Sequence, residues 1–390
     1  AQDAGIGRTL ATYTRLSGPG WLQSAITLGG GSLAGSLYLG VIGGYEFLWL
    51  QPLMMILGIV MLSAIAYVTL STGKRPFQAM NEHVSPVLGW GWLLAAMMAN
   101  LVWAMPQFSL GTAALQQNLF PHYLAGDSAK VICVLCLFLI ATAVVWFYDS
   151  PGWGVRVFEL SLKAMVGLVV LSFFGVVVAM SWKGELDWMS IAKGFVPDLS
   201  LLWRPVTGLH GFIDESSARD YWTTTILFAQ RERMIAAAAT AVGINMTFLL
   251  PYSMLRKGWD RAFRGLAAFD LSTGLFIPFL VATSCVVIAA ASQFHGQFDE
   301  RIIRQPAADI AGSYRDNLEK RVRAEFGSEN RSVLSESEMN AKIDALPSAD
   351  RKLAYMLIKR DSLDLATALE NLFGKGGLTQ KVFGIGVLGM

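Results

Sequence analysis

The sequence predicts an all-α polytopic membrane protein. Three observations carry that prediction: an apolar composition, a series of long charge-free stretches, and paired interruptions inside two of them. Hydrophobic residues make up 54% of the 390 and charged residues only 15%, with a mean hydropathy of +0.46. A soluble domain carries about 25% charged residues, so a water-soluble enzyme, a nucleic-acid binder and a disordered chain are poor descriptions. A formal net charge of +2 gives no attraction for a polyanion. Cys133, Cys136 and Cys285 sit in apolar runs and make no disulfide framework.

Asp, Glu, Lys and Arg are missing from 16–45, 47–73, 84–126, 131–148, 164–182, 234–255 and 271–298. Crossing roughly 30 Å of hydrocarbon takes about 20 apolar residues in a helix. Backbone groups in lipid must bond within their own segment, which favours helices, and the alternating pattern of an outer-membrane barrel is absent. Seven spans are expected, near 18–42, 46–71, 88–118, 128–148, 156–182, 234–256 and 266–293. The first opens on Gly18-Pro-Gly-Trp and the second ends at Gly73-Lys74. Asn100 lies in the third and is expected to bond across to another helix. The fourth holds Cys133 and Cys136, one turn apart without acidic or histidine company, which reads as packing. Glu159 and Lys163 in the fifth are spaced to pair on one face. His83, His122, His210 and His295 fall in loops or at span ends, too scattered for a ligand set. Trp90, Trp92, Trp182 and Trp188 cluster at span ends as interface anchors.

An eighth span begins at Leu378 and runs into Met390, so the sequence reads as a fragment of a longer protein cut at the start of that span. Short-loop cations set orientation. Arg8 and Arg15, Lys74 and Arg75, Arg156, and Arg256, Lys257, Arg261 and Arg264 all fall on one side if the spans alternate. That side is expected to be cytoplasmic, with the N-terminus, in a bacterial plasma membrane. The first apolar run is too long and Gly-rich for a cleavable signal.

The first span contains Gly29, Gly30 and Gly31 followed by Ser32. Each glycine costs about 1 kcal/mol against alanine in a helix, so three together mark an unwound point, with Ser32 as the cap of the second half-helix. Gly31, Gly35 and Gly40 equally suit close helix packing. In the sixth span Gly243, Asn245, Met246 and Thr247 precede Pro251, which removes a helical bond at Thr247. Paired interruptions in corresponding spans point to an inverted-repeat transporter with its site at the membrane midplane.

At these residues the sequence resembles the Nramp family of divalent-metal transporters. The resemblance rests on Gly18-Pro-Gly-Trp-Leu, Gly43-Gly-Tyr with Leu48-Trp49, and Thr72-Gly73-Lys74. Leu110-Gly111, Asn118-Leu-Phe, and Asp270 with Phe279-Leu-Val and Phe294-His-Gly extend it. It covers roughly 15–295 and resumes near Leu365. The resemblance implies a LeuT-like fold of inverted five-helix repeats with discontinuous first and sixth helices, and metal uptake coupled to protons. Its expected organisation is a cytoplasmic segment 1–17, a first repeat 18–182, an external loop 183–233, the sixth and seventh helices 234–293, an external, partly helical insertion 294–377, and the start of the eighth helix, 378–390. Runs such as Arg315 to Phe326 and Asp350 to Phe373 should form amphipathic helices in that insertion.

The family's chemistry does not carry over residue by residue. Its Asp-Pro-Gly-Asn reads Gly29, Gly30, Gly31 and Ser32 here, and its Met-Pro-His reads Met246, Thr247 and Phe248. Gly243 falls where a backbone carbonyl ligand is offered. The third-span acids align with Met105 and Phe108, and a seventh-span Asn with Ala282. Of the side chains, only the Met246 thioether is left as a metal ligand. The expected substrate-binding residues are therefore Gly29, Gly30, Gly31, Ser32, Gly243, Asn245, Met246 and Thr247.

A divalent cation in a low-dielectric site wants oxygen ligands and compensating charge, and no carboxylate lies near either break in the sequence. Two substrates stay open: a metal ion, implied by the resemblance, held through its water shell by carbonyls and hydroxyls, and a small polar or zwitterionic solute such as an amino acid, suited to a half-helix N-terminus. A non-transporting receptor or scaffold is the third reading. No nucleotide-binding loop, no nucleophile–base set and no cofactor motif is present, so neither an ATP-driven pump nor an enzyme is expected. The expected partners are the transported ion or solute and the lipid bilayer, with no nucleic acid.

Overall fold

Long apolar runs with no strand-forming alternation give helices throughout. The computed structural model describes residues 6–120, 123–124, 126–149, 153–298, 308–325, 335–360, 364, 365, 368 and 369. The predicted eighth span, His122 and the end of the Asp350–Phe373 run lie outside them. Among the described residues there is no strand.

Helix α1 (Ile6–Leu16) leads into a first span made of two half-helices, α2 (Pro19–Thr27) and α3 (Gly30–Gly43). Together with the turn to Phe47 they bend by 57° at their junction. The later spans follow in order: α4 (Leu50–Thr72), then the short α5 (Pro76–His83), α6 (Pro86–Ala113), α7 (Asp127–Asp149) and α8 (Trp153–Trp182). After the short α9 (Trp188–Gly194) and α10 (His210–Asp214) comes the second broken span, α11 (Arg219–Ala241) and α12 (Met246–Arg256). The seventh span is α13 (Arg264–Leu271) and α14 (Ile277–Phe294), continuous through a π turn at Ser272–Phe276. This is the membrane-spanning set the sequence predicts, and the protein is a multi-pass integral membrane protein.

The sixth span starts earlier than its charge-free stretch. Helix α11 begins at Arg219, so Arg231, Glu232 and Arg233 are helical. The two arginines are accommodated by neighbouring segments: Arg231 Nε donates to Leu202 O at 2.7 Å, and Arg233 lies over the ring of Tyr38 on α3 at 4.3 Å.

The seventh span is the most enclosed and the fourth the least. Helix α14 packs along α3 and α8. Gly40 permits the first contact, since a Cβ there would stand 2.5 Å from Val287 O and 2.9 Å from Ala291 N. The π turn brings Gly274 to 3.0 Å from the Trp21 backbone by the same measure, so α2 and the seventh span meet backbone to backbone. Met98, Leu101, Val102 and Met105 on α6 and Leu135, Phe138 and Leu139 on α7 point outward, as residues facing lipid do. Cys133 is buried and Cys136 exposed.

The start of α2 is fastened by charge. Asp270, itself buried, accepts from Gly18 N at 3.1 Å and Gly20 N at 2.7 Å. A carboxylate at a helix N-terminus satisfies free N–H groups and the dipole together. Glu159 and Lys163 do not pair with each other as their spacing suggests: Glu159 binds Lys257 at 2.9 Å, and Lys163 donates to Ser17 O at 3.1 Å. Tertiary partners at the start of α2 outcompete the weak pairing along one helix.

At the opposite end, where α3 and α14 finish and α11 begins, a helical cap sits on the bundle: α15 (Ala308–Ala324), α16 (Glu336–Ala345) and α17 (Ser348–Met356). Buried Asp350 accepts from Ser217 N (2.8 Å), Ser217 Oγ (3.1 Å), Trp222 Nε1 (2.8 Å) and Arg321 Nε (3.0 Å). Arg321, also buried, reaches Ser217 Oγ at 2.8 Å and Glu325 at 2.9 Å. Buried charges are tolerable when every group is bonded in this way. His295, at the end of α14, bonds Val41 O at 3.0 Å and lies against Gly44 and Gly208.

Candidate substrate site between two helix breaks

The first break is narrower than three glycines suggest. Only Leu28 and Gly29 leave the helix, and Gly29 is the N-cap of α3 with no side-chain capping bond. Gly30 and Gly31 are already helical. Ser32 is not the cap: its hydroxyl donates to Thr27 O, the open carbonyl end of α2, and lies 3.4 Å from Thr240 O. A short polar side chain that can bond backwards to a carbonyl does so where that carbonyl has lost its helical donor.

The second break runs over Val242 to Asn245. Gly243 allows it, since a Cβ there would stand 2.4 Å from the Asn245 side chain. The first turn of α12 closes on itself, with Met246 N on Gly243 O (3.0 Å), Thr247 N on Ile244 O (3.2 Å) and Phe248 N on Asn245 O (3.1 Å). Thr247 Oγ1 also donates to Ile244 O at 2.5 Å. Pro251 lies inside α12, beyond the break.

The two breaks cross. Thr27, at the end of α2, donates to the Met246 sulfur at the start of α12 (3.3 Å), while Ser32 near the start of α3 faces Thr240 near the end of α11. Met246 is fully buried, and its sulfur also accepts from Gly243 N at 3.3 Å. It therefore sits as a hub joining both breaks, with two donors already on the thioether.

Around this crossing lies a cavity of about 80 Å³, space for a few waters or an ion keeping part of its shell. Of the predicted residues, Gly29, Gly31, Ser32, Gly243, Asn245 and Met246 line it; Gly30 and Thr247 do not. The third span supplies what the breaks lack. Asn100, Trp103 and Gln107 project from α6 into the cavity, spaced i, i+3 and i+7 on one face. Gln107 Oε1 accepts from Gly30 N at 2.9 Å. Asn100 also bonds its own helix, donating to Ala96 O at 2.9 Å. Met105 points away from the cavity, and Ala282 is buried in α14 outside it.

None of the residues lining the cavity is acidic, basic or histidine. Among the described residues no group of three or more His, Cys, Asp or Glu stands together to hold a metal. The cavity is an uncharged site in which amides and hydroxyls share the wall with Ile26, Trp103, Ala239, Ile244 and Met246. Ile26, Asn100 and Asn245 are shared with a wider vestibule of about 590 Å³ that leads past Phe248 to Arg75 and Tyr252. Phe248, on the vestibule wall, stacks on Trp92 at 4.1 Å between ring centroids. Arg75 lies 5.1 Å over the Tyr252 ring, and Arg75 and Arg256 line the mouth.

Comparison with known proteins agrees with this architecture. The family model "natural resistance-associated macrophage protein-like" (Nramp) matches residues 20–308. A metal transporter Nramp6.2 of Populus trichocarpa is 27% identical over 189 residues, 47% of this chain and 31% of its own length. A metal transporter Nramp2 of Oryza sativa subsp. japonica is 25% identical over 41% of this chain and 29% of its own length. The matched region thus spans about three tenths of these relatives. A crystal structure of the Eremococcus coleocola manganese transporter, bound to an aromatic bis-isothiourea compound, superposes over 100% of this chain and 68% of its own. Its TM-score is 0.50 at 15% identity, a likeness of fold.

Proposed function

The chain is a member of the Nramp family, with a LeuT-like fold, and from that premise we propose that it is a secondary-active transporter. It moves a divalent metal ion by alternating access to the cavity between the two breaks. The crossing of the breaks around one cavity that offers several amides and hydroxyls is the observation that carries this reading. Half-helices that end at a shared midplane site can rock without breaking a continuous helix.

The lining decides how the ion is held. Stripping a divalent cation of water requires compensating charge, and this cavity offers neutral oxygens only. The ion therefore keeps several waters, which the Asn100, Asn245 and Gln107 amides and the Thr27, Ser32 and Thr240 hydroxyls contact. Magnesium, which dehydrates reluctantly, suits such a site better than a dehydrated transition metal. The vestibule faces the side of Lys74, Arg75 and Arg256, which the cation bias assigns to the cytoplasm together with the N-terminus. The structure is then inward-open, the cap lies outside, and the bacterial plasma membrane is the expected location.

A zwitterionic solute is the second reading. The uncharged lining and the arginines at the mouth favour it.

The test is uptake of Mg²⁺ and Mn²⁺ into proteoliposomes holding the full-length protein, beside Met246→Ala and Met246→Leu. Saturable uptake that Met246→Ala abolishes and Met246→Leu largely retains is expected if Met246 is a packing hub. No uptake of either ion by folded wild-type protein rules out the metal reading and leaves the solute.

A further inference from the structure

Gln107 is where the third span meets the first break, on the wall of the cavity that the second break also lines. Its side-chain amide fills the space that the missing Cβ atoms of Gly29 and Gly30 leave open, since those atoms would stand 3.3 Å and 3.2 Å from it. The group opposite is the Gly30 N–H, at 2.9 Å, which can only donate. The atom facing it must therefore be the amide oxygen, since the amide NH₂ can only donate. A half-helix N-terminus carries the equivalent of about half a positive charge. Here a neutral oxygen of the protein satisfies it in advance.

We infer that Gln107 sets the charge selectivity of the cavity. It occupies the position at which an anionic ligand group would bind the half-helix, and it does so without bringing a negative charge. A carboxylate solute must displace the amide to reach the Gly30 N–H. A cation meets an uncharged wall and is held through its water. Glutamine and glutamate have the same shape, so one exchange, NH₂ for O, would place a carboxylate between the helix N-terminus and the cavity. That single change would turn a site for hydrated or uncharged ligands into one for a directly ligated transition metal. This inference rests on the cavity being the substrate site proposed above.

The experiment is calorimetric binding of Mn²⁺ and Mg²⁺ to the full-length protein and its Gln107→Glu, Gln107→Asn and Asn100→Asp variants, with thermal unfolding to establish folding. Gln107→Glu is expected to bind Mn²⁺ at least about tenfold more tightly than wild type, with a smaller gain for Mg²⁺. Gln107→Asn, a methylene shorter and uncharged, should show no gain. A folded Gln107→Glu with unchanged Mn²⁺ affinity overturns the inference, and so does an equal gain in Asn100→Asp, because then any carboxylate in the cavity suffices. If Gln107→Glu does not fold, Gln107→Ala carries the test. By uncovering the Gly30 N–H it should bind acetate at least about tenfold more tightly than wild type, and unchanged acetate affinity overturns the inference equally. Wild-type uptake is read separately: a Gln107→Glu gain in a protein that moves no ion supports the selectivity role and rejects metal transport.

Discussion

Glycines in this protein do different work according to what lies opposite them. A Cβ at Gly31 would stand 2.3 Å from the ring of Trp103, a side chain that can swing. At Gly20 it would stand 2.2 Å from Asp270 O, a backbone atom in a buried helix. Gly31→Ala should therefore fold and lose uptake by displacing Trp103 into the cavity, and Trp103→Ala should restore part of it. In a double-mutant cycle the pair should couple by about 0.5–3 kcal/mol. Gly20→Ala should instead lower thermal stability by about 1–3 kcal/mol or more, the cost of overpacking without relief. Equal behaviour of the two alanines in unfolding and uptake would contradict this distinction. Most of the site is written in its sequence as small residues at the breaks. Gln107 and Trp103 are harder to see, because one amide and one indole in a long apolar span look like packing until their i, i+4 spacing is combined with Asn100.

Half-helix α2 is held at both ends by groups from the sixth and seventh spans, Asp270 at its start and Met246 at its finish. Asp270→Asn keeps one acceptor and loses the charge, so amide hydrogens of 18–24 should exchange faster, by the equivalent of about 1–3 kcal/mol. Unchanged protection there would show that the carboxylate does not fasten α2. The loop after the fifth span is built on capping carboxylates of another kind. Asp187 accepts from Met189 N and Ser190 N and from the Ser190 hydroxyl, and the Ser190 hydroxyl bond, first, holds it below the usual carboxylate range. A lowered folded pKa stabilises above the unfolded value, about 3.9, and that contribution fades as pH falls through the folded one. Protection of 188–194, corrected for intrinsic exchange, should hold at pH 6 and weaken towards pH 3. Spans were legible as charge-free runs because lipid admits little else. The early start of α11 was not, since Arg231 and Arg233 look like a loop until Leu202 and Tyr38 are seen beside them.

Over the whole molecule, the cap and the sixth span form one piece through Asp350. Removing one partner of a buried, fully bonded pair costs about 3–5 kcal/mol, whereas replacing both by apolar groups is often neutral. Arg321→Met alone should detach the cap, read as rapid proteolysis within 308–360. Arg321→Met combined with Asp350→Leu should recover part of the resistance. A fully resistant single variant would show that the pair does not anchor the cap. No sequence pattern announces this junction, because its members, Ser217, Trp222, Arg321 and Asp350, lie in three separate segments.

The uncharged cavity wall also fixes how such a carrier would respond to voltage. With no carboxylate to offset it, a carrier loaded with a divalent cation crosses the field as a doubly charged body, while the empty carrier returns as a neutral one. Each elementary charge is worth about 2.3 kcal/mol per 100 mV. An interior-negative membrane would then supply roughly 4.6 kcal/mol per 100 mV to every inward step, without any proton having to move.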